Sequence, residues 1–266
     1  MAEFLPMLPD DFEQTRATLH AYAHAVSAIP RVHAVAHPKW WHVALRVTPR
    51  GLVSENVPLP GGGILNLRMD LHAHEVVVSV SDGTETRVPM TDGLTGTELG
   101  DRLIDIAAGC GLTGEYGRVE FEDDDPREYR PEAAAAFFRA AANISHVFDH
   151  HLRALEGEVS RVQLWPHNFD LACEWFGTRI EGGEHPSQIN LGFYPAGRAY
   201  FYSNPWPFDG NALMSHGLPH GAEWHTEGWE GSILYYDVLA GDPDAATKLL
   251  EYARAVFDIA SPTLIV

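Results

Sequence analysis

Histidines are the residues of this sequence whose number and spacing point most directly to chemistry. The chain has 15 of them, and imidazole both titrates near neutral pH and is the commonest metal ligand. Four pairs have H-x-x-x-H spacing, which places two imidazoles on one face of a helix: His20/His24, His33/His37, His146/His150 and His216/His220. A polar helix flank or a hydrogen-bonded structural histidine is the competing, and more common, interpretation of each pair.

The densest group of candidate metal ligands lies in residues 209–229, a segment with little periodicity. Three imidazoles and two carboxylates there can form a tetrahedral or octahedral site with an open position. The candidate ligands for a divalent metal are His216, His220 and His225, with Glu223 or Glu227. Long loops in compact domains are typical of lids and binding loops. A solvated surface loop is the plainer alternative.

Three tryptophan–histidine pairings form a second candidate site: WWH (40–42), WPHNFD (165–170) and WHTEGW (224–229). An imidazole against an aromatic wall, oriented by a carboxylate, can act as a general acid or base. We predict a pocket whose polar groups are His42, His167, His225 and either Asp170 or Glu227. Its predicted walls are Trp41, Trp165, Trp206 and Trp224. Core packing of the aromatic side chains is the competing interpretation.

The remaining motifs exclude several common sites. GCGLTG (109–114) matches the G-x-G-x-x-G pattern, but a predicted helix precedes it and a strand-like segment follows. This is the reverse of a dinucleotide-binding unit, so a helix C-cap and a turn explain the glycines. The P-loop, G-x-S-x-G and H-E-x-x-H signatures are absent. The two cysteines, Cys110 and Cys173, do not form a C-x-x-C motif, so neither a disulfide framework nor a cysteine zinc site is expected.

The amino-acid composition limits the classes of partner that the protein is expected to bind. The net charge of −19 argues against nucleic acid and anionic membranes, which both require clustered cations. A hydrophobic content of 45% is sufficient for a packed core. There is no signal-peptide pattern and no apolar run long enough to span a bilayer. We therefore expect a cytoplasmic protein that binds a small molecule; the sequence does not predict its oligomeric state.

The apolar pattern predicts the elements that position these residues. Helices are expected over 12–29, where Pro30 ends the pattern, over 97–111 and 131–155, and after Asp242. Strands are expected over 40–51, 64–71, 76–80, 160–177, 187–206 and 231–239. The order helix, three strands, helix thus occurs twice. We predict an α+β fold with two tandem halves, 1–122 and 131–266, linked by the acidic segment 122–131. The sheet should be mostly antiparallel with helices packed on one face.

Several segments together resemble a bacterial family of uncharacterised proteins, a domain of unknown function. The segments are WWHVALRVTPRGL, DLHAHEVVVSVSDG, LWPHNFDLA, FYPAGRAYFYSNPW and WEGSILYYDVL, and the similarity covers most of the chain. The resemblance implies no assigned reaction, cofactor or catalytic residue. Two classes of function therefore stay open. One is a small-molecule-binding protein with acid/base or metal-assisted chemistry, and the other is an interaction protein that uses the aromatic segment 193–206 as a contact surface.

Overall fold

The computed structural model describes residues 3–266 and shows an α+β protein with two antiparallel sheets. The helices are α1 (Phe12–His33), α2 (Gly96–Gly109), α3 (Pro131–Leu152), α4 (Gly210–Leu213) and α5 (Ala245–Ala260). The fold class predicted from the sequence is confirmed. Within residues 3–266, no helix is both long enough and apolar enough to cross a membrane.

The first sheet has the strand order β1-β2-β4-β5-β6, and β3 pairs with β4. Its strands are β1 (Arg46–Thr48), β2 (Gly51–Val53), β3 (Val57–Pro58), β4 (Ile64–Asp70), β5 (Glu75–Val80) and β6 (Glu85–Pro89). In β4 the side chains of Leu65, Leu67 and Met69 are buried, whereas Asn66 and Arg68 are half-buried. This alternation is the predicted one, and it places one face of the sheet in the core.

The second sheet has the strand order β12-β13-β11-β10-β9-β7. The strands of this half of the chain are β7 (Glu158–Val159), β8 (Gln163–Trp165), β9 (Asp170–Glu181), β10 (His185–Tyr194), β11 (Tyr200–Trp206), β12 (Glu223–His225) and β13 (Gly231–Tyr235). One face carries Phe193 and Phe201, which are fully buried. The opposite face carries Tyr194 and Tyr200, which are half-buried and pair across β10 and β11.

Two compact units are defined by the contacts of the chain. The first unit contains Leu8–Phe138 and Leu164–Phe169. The second contains the N-terminal residues through Met7, Arg139–Gln163 and Asp170–Val266. The division between them lies within α3, between Phe138 and Arg139.

Three predicted elements differ from the structure. Pro30 does not end α1, which continues to His33 with Pro30 in its last turn. The predicted strand 40–51 begins instead as a 3-10 helix over Trp41–Val43, because Trp40 has a left-handed backbone with φ of 60°. The predicted strand 160–177 is divided by a turn after Pro166, since proline cannot donate to a strand ladder.

Candidate functional site

Two of the three tryptophan–histidine pairings lie in the first unit, and their segments are joined through the backbone. Leu45 N–H donates to the carbonyl oxygen of Leu164 at 2.9 Å, and Leu164 N–H donates to that of Leu45 at 2.7 Å. The segment that follows WWH is thereby held beside the segment WPH. The third pairing, Trp224 with His225, belongs to the second unit.

In the segment WWH, His42 acts within the local structure. Its Nδ1 accepts a hydrogen bond from the backbone N–H of His37 at 3.1 Å, and its side chain is buried. Burial lowers the pKa of His42, and the nearby His37 and Arg31 lower it further. Trp41 stacks on the ring of His37 at 4.3 Å. The neutral imidazole of His42 therefore helps to fix this turn.

The predicted residues of WPHNFD fall into both units. Trp165 and His167 lie in the first unit with ring centroids 5.7 Å apart, and the imidazole of His167 is exposed. Asp170 lies in the second unit and is buried, and its carboxylate accepts a hydrogen bond from Tyr202. Asp170 is thus held by the phenol of Tyr202.

The imidazoles of two of the three histidines in residues 209–229 have local partners, and the third histidine is bonded through its backbone. His220 Nε2 lies 2.7 Å from a carboxylate oxygen of Glu251, and His225 Nε2 lies 2.8 Å from the backbone oxygen of Glu227. The backbone oxygen of His216 accepts from Trp224 Nε1 at 2.9 Å. Across residues 3–266, no three or more histidine, cysteine, aspartate and glutamate side chains are grouped in an arrangement that could hold a metal.

The remaining predicted wall residues lie in the second unit. Trp206 is 41% exposed. Trp224 packs edge-on against Phe208, with ring centroids 6.1 Å apart, beside a core cluster that includes Trp175.

A cleft of about 710 Å³ lies within the second unit and was not predicted. Its lining comes from the end of α3 and the residues after it, from β9, from α5 and from the C-terminus. Its lining residues include His151, Glu156, Trp175, Arg254, Phe257 and Asp258. None of the predicted site residues lines it.

The walls of this cleft are aromatic and rigidly packed. Phe257 meets Trp175 edge-to-face at 5.1 Å and His151 edge-to-face at 5.9 Å. Trp175 donates its indole N–H to the backbone oxygen of Glu156 at 2.7 Å. The polar atom of the indole is therefore already used, and Trp175 presents an apolar ring surface whose orientation is fixed.

His151 is the exceptional polar residue of this cleft. Its side chain is 4% exposed, and its Nδ1 has no hydrogen-bond partner among the described residues. Burial lowers the pKa of His151 to about 4, and the positive charge of Arg254 lowers it further. The imidazole is therefore neutral at physiological pH, so that its ring nitrogens offer one donor and one acceptor.

Charged side chains surround the outer part of the cleft. Arg254 is exposed and makes no hydrogen bond or ion pair with another described residue. Its positive charge lowers the pKa of His151, and no acidic residue opposes this effect there. Glu156 and Asp258 are exposed acidic lining residues. The positive charge of Arg254 acts on His151 and favours an anionic or hydrogen-bonding group beside it.

The sequence did contain a signal for His151. Ile144, Phe148 and His151 are spaced by four and three residues, so His151 continues the apolar stripe of α3. A histidine on such a stripe is either satisfied in the core or faces a cavity. The H-x-x-x-H pattern drew attention instead to His146 and His150, which are both exposed.

The sequence comparison agrees with the resemblance noted above. The chain belongs to a family of unknown function, DUF5996, whose sequence model matches residues 5–264. No curated protein and no solved structure matches the chain.

Proposed function

We propose that the protein binds a small molecule in the cleft of the second unit. The observation that carries this proposal is His151, a buried polar side chain with an unpaired ring nitrogen in the wall of that cleft. An unsatisfied buried polar atom costs about 1–3 kcal/mol. His151 lines the cleft, and a ligand that reaches Nδ1 from there would remove this penalty.

Size and shape support the same conclusion. The volume of about 710 Å³ lies within the roughly 300–1,000 Å³ that is usual for ligand pockets. Rigid aromatic walls with few polar groups are typical of sites for small organic ligands. Because Trp175 and Phe257 meet edge-to-face, they offer an apolar corner that suits a planar or aliphatic body.

The charge of Arg254 limits the class of ligand that the cleft is expected to bind. The unpaired guanidinium of Arg254 acts on the inner end of the cleft, and guanidinium groups bind carboxylates and related anions through paired hydrogen bonds. We therefore propose a ligand with an apolar or aromatic body and one acidic group. We also propose a cytoplasmic location, where metabolites of this kind occur.

Two fluorescent probes test the site. Anilinonaphthalene sulfonate has an aromatic body with an anionic group, and N-phenylnaphthylamine has a similar body without the charge. We expect both to bind saturably to the wild-type protein. Arg254→Gln should weaken binding of the sulfonate by roughly two- to fivefold, as for an exposed ion pair, and should leave binding of the uncharged probe unchanged.

A blocking variant locates the binding. Ala154 is an exposed residue of the cleft lining, so Ala154→Trp should fill the entrance and abolish binding of both probes without unfolding the protein. Ala108 is an exposed alanine of α2 in the first unit, and Ala108→Trp is the matched control. Equal probe binding by Ala154→Trp and the wild type would refute the proposal.

A further inference from the structure

A second pair of histidines, on α1 in the first unit, has the geometry of a metal chelate. His20 and His24 lie one helical turn apart, with Nε2 atoms 3.1 Å from each other. Their rings are nearly stacked, with centroids 4.8 Å apart and an interplanar angle of 28°. Of the four H-x-x-x-H pairs, this is the pair whose two side chains meet among the described residues.

A carboxylate sets the orientation of one ring. Glu120 Oε2 lies 3.3 Å from Nδ1 of His24, and Arg31 donates to the same oxygen at 2.9 Å. Because the carboxylate accepts hydrogen bonds, Nδ1 of His24 carries the N–H. In a neutral His24, Nε2 then carries a lone pair, and this lone pair points at His20.

The ring of His20 therefore faces more acceptors than it can satisfy. Besides the lone pair of His24, backbone groups of Pro166 and His167 lie within hydrogen-bonding reach of the ring. A neutral imidazole has one N–H, so His20 cannot donate to all of these acceptors at once.

A metal ion bound by both Nε2 atoms fits the observed separation of the two rings. Two imidazole nitrogens bound tetrahedrally at about 2.0–2.1 Å lie roughly 3.3 Å apart, close to the observed 3.1 Å. Ligating histidines commonly donate their other N–H to a carboxylate or a backbone carbonyl. Glu120 and the backbone of Pro166 and His167 occupy these outer positions.

We propose that Nε2 of His20 and Nε2 of His24 chelate one divalent transition-metal ion of the zinc class, with Glu120 orienting His24. Imidazole is a preferred ligand for such ions. Because the described residues contain no group of three or more suitable ligands, the remaining coordination positions are left to water or to an added ligand. This site lies in the first unit and does not depend on the proposed cleft in the second.

Calorimetric titration of untagged, metal-free protein with zinc chloride tests the site. We expect one ion per chain, with a rise in melting temperature on binding. His24→Gln should abolish binding. His146→Gln should not, although His146 belongs to an exposed H-x-x-x-H pair on α3. Binding that survives His24→Gln but is lost in His146→Gln or His225→Gln would overturn the proposal, as would no binding by the wild type.

A variant outside the chelate keeps the test valid if His24→Gln fails to fold. Glu120→Gln should weaken zinc binding by roughly 10- to 100-fold, as is usual for the outer carboxylate of a ligating histidine. Glu122→Gln, two residues away and paired only with Arg118 at 3.9 Å, is the matched control for loss of charge and should keep wild-type affinity. Equal affinities of the two variants would also overturn the proposal.

Discussion

The phenol of Tyr202 donates a hydrogen bond to Oδ2 of Asp170 across the intervening strand β10. Gly192 pairs with Tyr202 on one side and with Ala172, two residues from Asp170, on the other. A Cβ atom at Gly192 would meet the Tyr202 ring at 2.2 Å. Burial raises the pKa of Tyr202 well above its usual value, and the carboxylate of Asp170 raises it further. Tyr202 is therefore a permanent donor to a buried acid.

Removal of this donor should destabilise the second unit. Tyr202→Phe leaves the carboxylate of Asp170, which is 5% exposed, without its phenol partner. We expect a loss of about 1–3 kcal/mol in the free energy of unfolding, measured by urea denaturation. Tyr200→Phe, on the same face of β11 but not bonded to Asp170, is the control. Equal losses in the two variants would show that the hydrogen bond to Asp170 makes no specific contribution to the free energy of unfolding.

Two glycines of α2 should respond oppositely to the same substitution. A Cβ atom at Gly100 would lie 2.2 Å from the ring of Phe121, which is fully buried, whereas nothing lies within 4 Å of a Cβ at Gly109. Gly100→Ala should therefore reduce the free energy of unfolding by about 1–3 kcal/mol. Gly109→Ala should leave it unchanged or raise it by up to about 1 kcal/mol. Thermal melts of the two variants provide the comparison, and a stable Gly100→Ala protein would contradict the close packing described.

The buried imidazole of the cleft should make stability depend on pH. The pKa of His151 is about 4 in the folded protein and about 6.5 in the unfolded chain. The unfolded chain therefore takes up this proton first as the pH falls. Stability from this group is complete above pH 6.5, declines below it and is fully lost below pH 4, by about 3 kcal/mol in total.

His151→Leu removes this part of the pH dependence. Urea midpoints at about pH 7 and about pH 4 should differ less in the variant than in the wild type. His146→Leu, which removes an exposed imidazole from the same helix, should behave like the wild type. At neutral pH, His151→Leu should also be more stable, because an unsatisfied buried polar atom is gone. The same pH slope in both variants would show that His151 is not the buried group responsible.

Regular elements could be predicted because their signals are local. In α2, for example, Leu99 and Leu103 are buried as expected, and Thr95 with Glu98 forms a capping box. The structure of the segment after Trp40 could not be predicted in this way. A few alternating apolar residues fit a strand, but they also fit a 3-10 turn that leads into a short strand. The cleft escaped prediction for a different reason. It depends on Trp175, Phe257 and His151 meeting from three separate elements, and sequence spacing does not report such contacts.

The assignment of Leu164–Phe169 to the first unit has a consequence for any attempt to divide the gene. This six-residue segment provides Leu164, which bonds to Leu45, and Phe169, which stacks on Phe137 at 5.1 Å. A gene cut anywhere between codons 139 and 163 would encode a first unit that lacks these partners. We therefore expect residues 8–138, produced alone, to be less stable than the same unit within the whole chain.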